Sequence, residues 1–205
     1  MHPIRLILFD LGSVVVRIDI PTTVEYWSEK TGVPAAEIEK KINLDHTFKL
    51  FEQGLIPPED YRKYLMGQLG IELSPEDFYE GWNRMILGTY PETVELISKL
   101  RKHYRVAAFS NSNILHEEYL RKQFPALDLI FEKIYFSHRI NLRKPIPEAF
   151  FKVLEQARVD AGECVFLDDL SENIDAAKSV GFHTILVTQQ SDILSGLKAL
   201  GVRYE

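Results

Sequence analysis

Apolar runs of strand length recur along the chain at residues 4–9, 105–109, 133–136, 164–167 and 183–187. A run that is hydrophobic throughout, rather than at alternate positions, suits a strand buried on both faces. The intervals between most of these runs carry helical periodicity instead. Pro91 fits the first turn of a helix reaching about His103, with Val94, Leu96, Ile97 and Leu100 on its apolar stripe, and Pro147 starts another reaching about Ala157. Strand and helix in alternation predict an α/β fold, a doubly wound Rossmann-like parallel sheet with helices on its faces.

One interval breaks the alternation. From Asp19 to Gly88 there is no convincing strand, while residues 22–31, 35–42, 59–69 and 75–87 read as helices. The interval is too long for a single crossover, and its aromatic residues, among them Tyr26, Trp27, Phe48, Phe51, Tyr61 and Trp82, supply bulk for a core of its own. It is expected to be an inserted helical domain, 19–88, interrupting a core domain made of 1–18 and 89–205. The aromatics are assigned to that core and given no binding role; any left exposed would allow a homodimer in place of a monomer.

Composition narrows the function. The chain has 205 residues, 45% hydrophobic and 26% charged, enough for one substantial core and a smaller inserted one. A formal charge of −6 provides no basic field for nucleic acid or an anionic membrane. No apolar run approaches membrane-span length, and the first strand follows the N-terminus without a leader-like segment, so the expected compartment is cytoplasmic. The single cysteine, Cys164, falls inside an apolar run and is expected to be buried and inert.

Candidate chemistry lies where the apolar runs end. Asp10 closes the first, Ser110 and Asn111 follow the second, Lys144 precedes Pro145, and Asp168 and Asp169 follow the fourth. Ends of parallel strands are where α/β proteins bind ligands. Taken singly, each residue has an ordinary structural explanation as a cap, turn or surface charge. The four in this order do not reduce to that explanation so easily.

The order resembles the four motifs of the haloacid dehalogenase superfamily, over essentially the whole chain. The segments read FDLGS, FSNSN, RKP and FLDDLSENIDAA, and the helical insertion is similar to the cap that this superfamily places after its first motif. Within it, the first motif resembles the FDLGN form of sugar-phosphate phosphatases such as α-D-glucose-1-phosphate phosphatase. The resemblance implies a Mg2+-dependent phosphatase acting on a small phosphorylated metabolite, a phosphomonoester such as a sugar phosphate. Asp10 would be the nucleophile, forming an aspartyl phosphate. The metal would be held by the Asp10 carboxylate, the Gly12 carbonyl and Asp169, with Asn173 completing the acidic motif and Asp168 standing behind it. Ser110 and the Asn111 amide would bind phosphate, and Lys144 would balance the charge of Asp10 and phosphate.

Gly12 departs from the pattern. Most phosphatases of the superfamily carry a second Asp there as general acid and base, an effect typically worth about 10²–10⁴ in rate. An easy leaving group would make the acid dispensable. Alternatively the insertion supplies it: Asp45, His46 and Glu52 are candidates, but are expected to be solvent-exposed and stay outside the catalytic set. The other readings are a weakly active or non-catalytic binder of a phosphorylated ligand or partner, and a 2-haloacid dehalogenase, which would have no use for a metal.

Overall fold

The structure, a computed structural model, describes residues 3–204. The chain runs from β1 (Leu6–Phe9) through a short strand β2 (Val16–Ile18) into helices α1 (Ile20–Thr31), α2 (Ala35–Glu39), α3 (His46–Glu52), α4 (Pro58–Leu69) and α5 (Pro75–Arg84), and returns by β3 (Ile86–Thr89). It continues through α6 (Pro91–Leu100), β4 (Arg105–Ser110), α7 (Ile114–Gln123), α8 (Ala126–Ile130), β5 (Ile134–Phe136) and α9 (Ser137–Ile140). The last part is α10 (Pro147–Ala157), a 3-10 turn at Ala161–Glu163, β6 (Cys164–Asp168), α11 (Ser171–Val180), β7 (His183–Leu186) and α12 (Gln190–Ala199). Among the described residues no helix is long and apolar enough to cross a membrane.

The five apolar runs become one parallel sheet in the order β5-β4-β1-β6-β7. β1 is central, pairing Leu8 with Ala107 on one side and with Phe166 on the other. Successive side chains alternate between faces. Ile7 and Phe9 therefore join a cluster with Ile97, Leu100, Leu120 and Leu197, while Leu6 and Leu8 join Phe150, Val153, Phe166 and Ile174 on the opposite face. Each of these fully buried side chains contributes roughly 1.5–3 kcal/mol by leaving water, which is why the central strand has no polar position until Asp10.

Helices α1 to α5 pack on a third cluster, built on Trp27, Ile38, Phe51, Tyr61, Leu69, Phe78 and Trp82. Prolines in the first turn start α1, α4 and α5, and Gly32 and Gly70 end α1 and α4 in the left-handed conformation. α1 and α5 approach closely at Gly81, whose carbonyl accepts from Thr23 Oγ1 at 2.7 Å. A Cβ at Gly81 would lie 2.2 Å from Trp27 Nε1, so the residue must be glycine for the two helices to meet as they do.

The segment ending at Gly88 differs from its sequence expectation. The expected helix over 75–87 stops at Arg84, and Ile86–Thr89 is a strand, paired antiparallel with Val16–Ile18. Ile86 and Gly88 are buried and Leu87 is exposed, a two-residue alternation whose partner lies far back in sequence. Helix α3 was also unforeseen; Asp45 caps it by accepting from the Phe48 N–H at 2.9 Å. The expected helices over 35–42 and 91–103 end earlier, at Glu39 and Leu100.

Candidate active site

Parallel register brings the ends of β1, β4 and β6 to one edge of the sheet. Asp10 follows β1, with its backbone N–H donating to the Leu167 carbonyl at 2.8 Å; β4 ends on Ser110, and β6 ends on Asp168 with Asp169 beyond it. Lys144 enters from the loop before α10. Its backbone N–H donates to Asn111 Oδ1 at 2.8 Å, and Asn111 Nδ2 donates back to the Lys144 carbonyl at 2.9 Å. The Asn111 side chain thus fixes the lysine, so a phosphate contact from this residue falls to its backbone N–H.

The ammonium of Lys144, only 1% exposed, donates to Asp10 Oδ1 at 2.6 Å, Asp168 Oδ2 at 2.6 Å and the Phe109 carbonyl at 2.8 Å. The rings of Phe109 and Phe166 flank it at 5.3 and 5.2 Å. All three ammonium protons have acceptors, as a buried charge requires. Burial works to discharge the lysine, but the two carboxylates outweigh it and hold its pKa above the ordinary value.

One lysine serves three carboxylates: oxygens of Asp10, Asp168 and Asp169 lie within 4.8 Å of one another. Burial, with Asp168 and Asp169 adding to it against Lys144, pushes the Asp10 carboxyl up to about 7. Burial and Asp168 likewise raise Asp169. Asp168 is fully engaged, since its Oδ1 accepts from the Leu170 N–H and from Asn173 Nδ2, both at 2.9 Å. Asp10 and Asp169 remain the freer carboxylates, and beside them Asn173 Oδ1 is buried without a hydrogen-bond partner. An unbalanced oxygen-only cluster next to an orphaned acceptor fits a hard divalent cation that keeps some of its water. The Gly12 carbonyl lies on the same loop and accepts from the Val14 N–H at 2.6 Å.

Asp10, Gly12, Ser110, Asn111, Lys144 and Asp169 all line one cavity of about 340 Å³. Its other walls come from α1, α3, α4 and α5, with β2, β3 and α7 adding Ile18, Ile86 and His116, so Trp27, Phe48 and Trp82 belong to the helical core and also face this space. Cys164 lies elsewhere, buried, its thiol pushed up to about 12 chiefly by burial.

The solvent exposure expected of Glu52 is wrong. It is 7% exposed and accepts from Arg143 Nε at 2.9 Å, while its backbone carbonyl accepts from Ser137 Oγ at 2.6 Å. Burial raises its pKa and Arg143 opposes the shift. With Asn141 Nδ2 donating to the Gln53 carbonyl at 2.8 Å, these bonds tie the end of α3 to the segment leading to Lys144. No local signal in the sequence marks Glu52 as the partner of a residue so far along the chain. Asp45 is committed to capping α3 and to the Tyr64 hydroxyl, and His46 is exposed as expected.

The chain belongs to the haloacid dehalogenase-like hydrolase family, whose model matches residues 4–181. It is 31% identical over 192 residues to a D-ribitol-5-phosphate phosphatase of Bacteroides thetaiotaomicron, covering 88% of this chain and 90% of that protein. It is also 31% identical over 180 residues to a sesquiterpene phosphatase of Aspergillus oryzae, covering 85% of each. Among solved structures, a family enzyme of B. thetaiotaomicron in complex with magnesium and inorganic phosphate superposes with a TM-score of 0.81, at 31% identity, over 89% of this chain and 93% of that one.

Proposed function

We propose that the protein hydrolyses a small phosphomonoester through an aspartyl phosphate on Asp10, with residues 19–88 acting as a cap over the strand ends. It is a phosphoric monoester hydrolase with Mg2+ as cofactor, in keeping with relatives named as phosphatases and a similar enzyme solved with magnesium and phosphate. The observation that carries the reading is the buried Asp10–Lys144–Asp168 triad, with Asp10, Lys144 and the neighbouring Asp169 lining the cavity and Asp168 buried behind them.

The charges explain the division of labour. Three carboxylates and one ammonium leave an excess of two negative charges, which repels a phosphate dianion. Mg2+, when bound, cancels that excess and polarises the phosphoryl oxygens. Asp10, Asp169 and the Gly12 carbonyl are the residues that would hold it. Lys144 favours the ionised form of Asp10 against its burial and fixes its direction, and the Ser110 hydroxyl and Asn111 N–H bind phosphoryl oxygens. An Asp10 oxygen forms the new bond to phosphorus as the ester P–O bond breaks, and the departing alkoxide takes its proton from water, since Gly12 has none to give. Water then releases phosphate from Asp10. The cap, held through Glu52–Arg143, limits solvent at the site and selects the alcohol.

Phosphate release with Mg2+, with EDTA and with Asp10→Asn tests the reading. Turnover is expected to need both the metal and Asp10; full activity in a clean Asp10→Asn preparation would refute the covalent step.

A further inference from the structure

The cavity has two chemically different ends. Charged and polar groups lie at the strand ends, but the side chains facing them from the helices are Trp27, Phe48, Tyr61, Leu65 and Trp82. Large aliphatic residues on the same cavity reach solvent: Ile18, Ile20, Leu44 and Leu170 are 36%, 48%, 59% and 48% exposed. Single exposed aliphatics are ordinary, but several on one opening form a patch that folding alone does not account for.

Several polar groups on these walls are already satisfied by the protein. Thr23 Oγ1 donates to the Gly81 carbonyl, Glu52 is held by Arg143, and the two ring nitrogens of His116 meet Asn113 Nδ2 at 3.2 Å and the Trp82 carbonyl at 3.1 Å. Burial lowers the His116 pKa to about 4, so the ring is neutral where it stacks on Trp82 at 5.4 Å. Trp27 Nε1 has no partner, but it lies against Gly81 between the helices. Trp82 Nε1 is likewise buried without a partner, so the polar groups left for a ligand body away from the strand ends are the Tyr61 hydroxyl and the part of the Arg143 guanidinium not bonded to Glu52, with Asn43 at the exposed mouth. A polyol or sugar brings more hydroxyls than that, and each one left unpaired on such a wall lowers affinity by roughly fivefold to a hundredfold.

We propose that the substrate is the phosphate monoester of an apolar alcohol, its phosphate among the strand-end residues and its hydrocarbon body against Trp27, Phe48, Tyr61 and Trp82. The proposal rests on the phosphatase reading and names the substrate class for it, in place of the sugar phosphate expected from the first motif. The ester P–O bond is cleaved with water supplying the new oxygen, giving the free alcohol and inorganic phosphate. The wall suits a hydrocarbon because it is rigid: Trp27 and Trp82 stack at 6.1 Å, and Tyr61 meets Trp82 edge-on at 5.5 Å.

The test is kcat/KM with Mg2+ across straight-chain alkyl phosphates of increasing length and a branched terpenyl phosphate, against ribitol 5-phosphate and glucose 1-phosphate. Each added methylene is expected to raise kcat/KM about fourfold until the cavity is filled, with both polyol esters about a hundredfold or more below the best apolar one. Ile18→Asn, at a partly exposed position, should flatten the chain-length series. A flat series in the wild type, alongside Mg2+- and Asp10-dependent turnover of ribitol 5-phosphate or glucose 1-phosphate, would overturn the substrate class and leave the phosphatase standing. No phosphate release from any ester would overturn the phosphatase reading and this proposal with it.

Discussion

Gly12→Asp is the sharpest test of how the site works without a side-chain acid. The position has room: a Cβ there would stand 3.7 Å from Asp10 Oδ2 and 3.7 Å from Ile18 Cγ1, both ordinary contacts. The new carboxyl would join a cluster whose three acids share one lysine. At a separation on the order of 5 Å and an effective dielectric of about 20, repulsion from one neighbouring carboxylate is about 3 kcal/mol. That lifts its pKa by about two units, to roughly 6, within the range where a group both gives and accepts protons at neutral pH. General acid–base assistance is typically worth about 10²–10⁴, and part of it will be lost to weaker alignment, so an increase of at least about tenfold is expected. The gain should depend on the leaving group. Steady-state and single-turnover rates with an alkyl phosphate and with p-nitrophenyl phosphate separate the cases: the alkyl ester, whose alkoxide needs a proton, should gain most in the first step. If the folded variant hydrolyses the alkyl ester no faster than the wild type, the absence of an acid at Gly12 does not limit this enzyme and the argument fails.

Removing the buried cation by Lys144→Met leaves Asp10 and Asp168 uncompensated and should cost about 3–5 kcal/mol in EDTA, with partial recovery in Mg2+; urea denaturation with and without metal reads both, and an undiminished midpoint in EDTA would contradict the triad. Because the Asp10 carboxyl is raised from 3.8 to about 7, the metal-free folded state binds a proton that the unfolded chain releases, so stability should fall as pH rises through that window. Mg2+ must displace the same proton, so its apparent affinity, measured calorimetrically, should fall about tenfold per pH unit below 7 and level off above it; an affinity constant from pH 5 to 8 would refute this. Gly81→Ala sets a helix-propensity gain of about 1 kcal/mol against overpacking of about 1–3 kcal/mol on Trp27 and Tyr26, and the contact is close enough that overpacking should win. A raised Tm for that variant would mean that α1 and α5 separate freely.

What the sequence disclosed and what it withheld follow from how far each feature depends on a distant partner. Strands buried on both faces announce themselves, because each must be apolar along nearly its whole length whatever lies beside it; hence the runs that became β1, β4 and β6, while the edge strands β5 and β7, only partly buried, showed as apolar runs too. Parallel pairing then carries their ends to one edge, so the meeting of Asp10, Ser110 and Asp169 follows from strand ends alone. Lys144 needed more: its loop is aimed by Asn111, visible only once the loop lies beside β4. β3 was hidden because a short alternating strand takes its identity from its partner, Val16–Ile18. Glu52 was hidden for the same reason, since nothing around it differs from a surface glutamate until Arg143 arrives.

The aromatic residues of the insertion were read as core, and that assignment holds for one side of them only. Trp27 and Trp82 pack into the helical cluster while facing the cavity, a double duty that periodicity cannot express because it reports which face of a helix is apolar and not what covers it. A cap that must both fold and select an alcohol meets the two needs at once if the alcohol is as apolar as the core. The wall can then be an extension of the hydrophobic cluster, with no separate set of polar contacts to build and satisfy. Selectivity in such an enzyme comes from the shape and area of that wall, while the phosphate chemistry at the strand ends stays fixed.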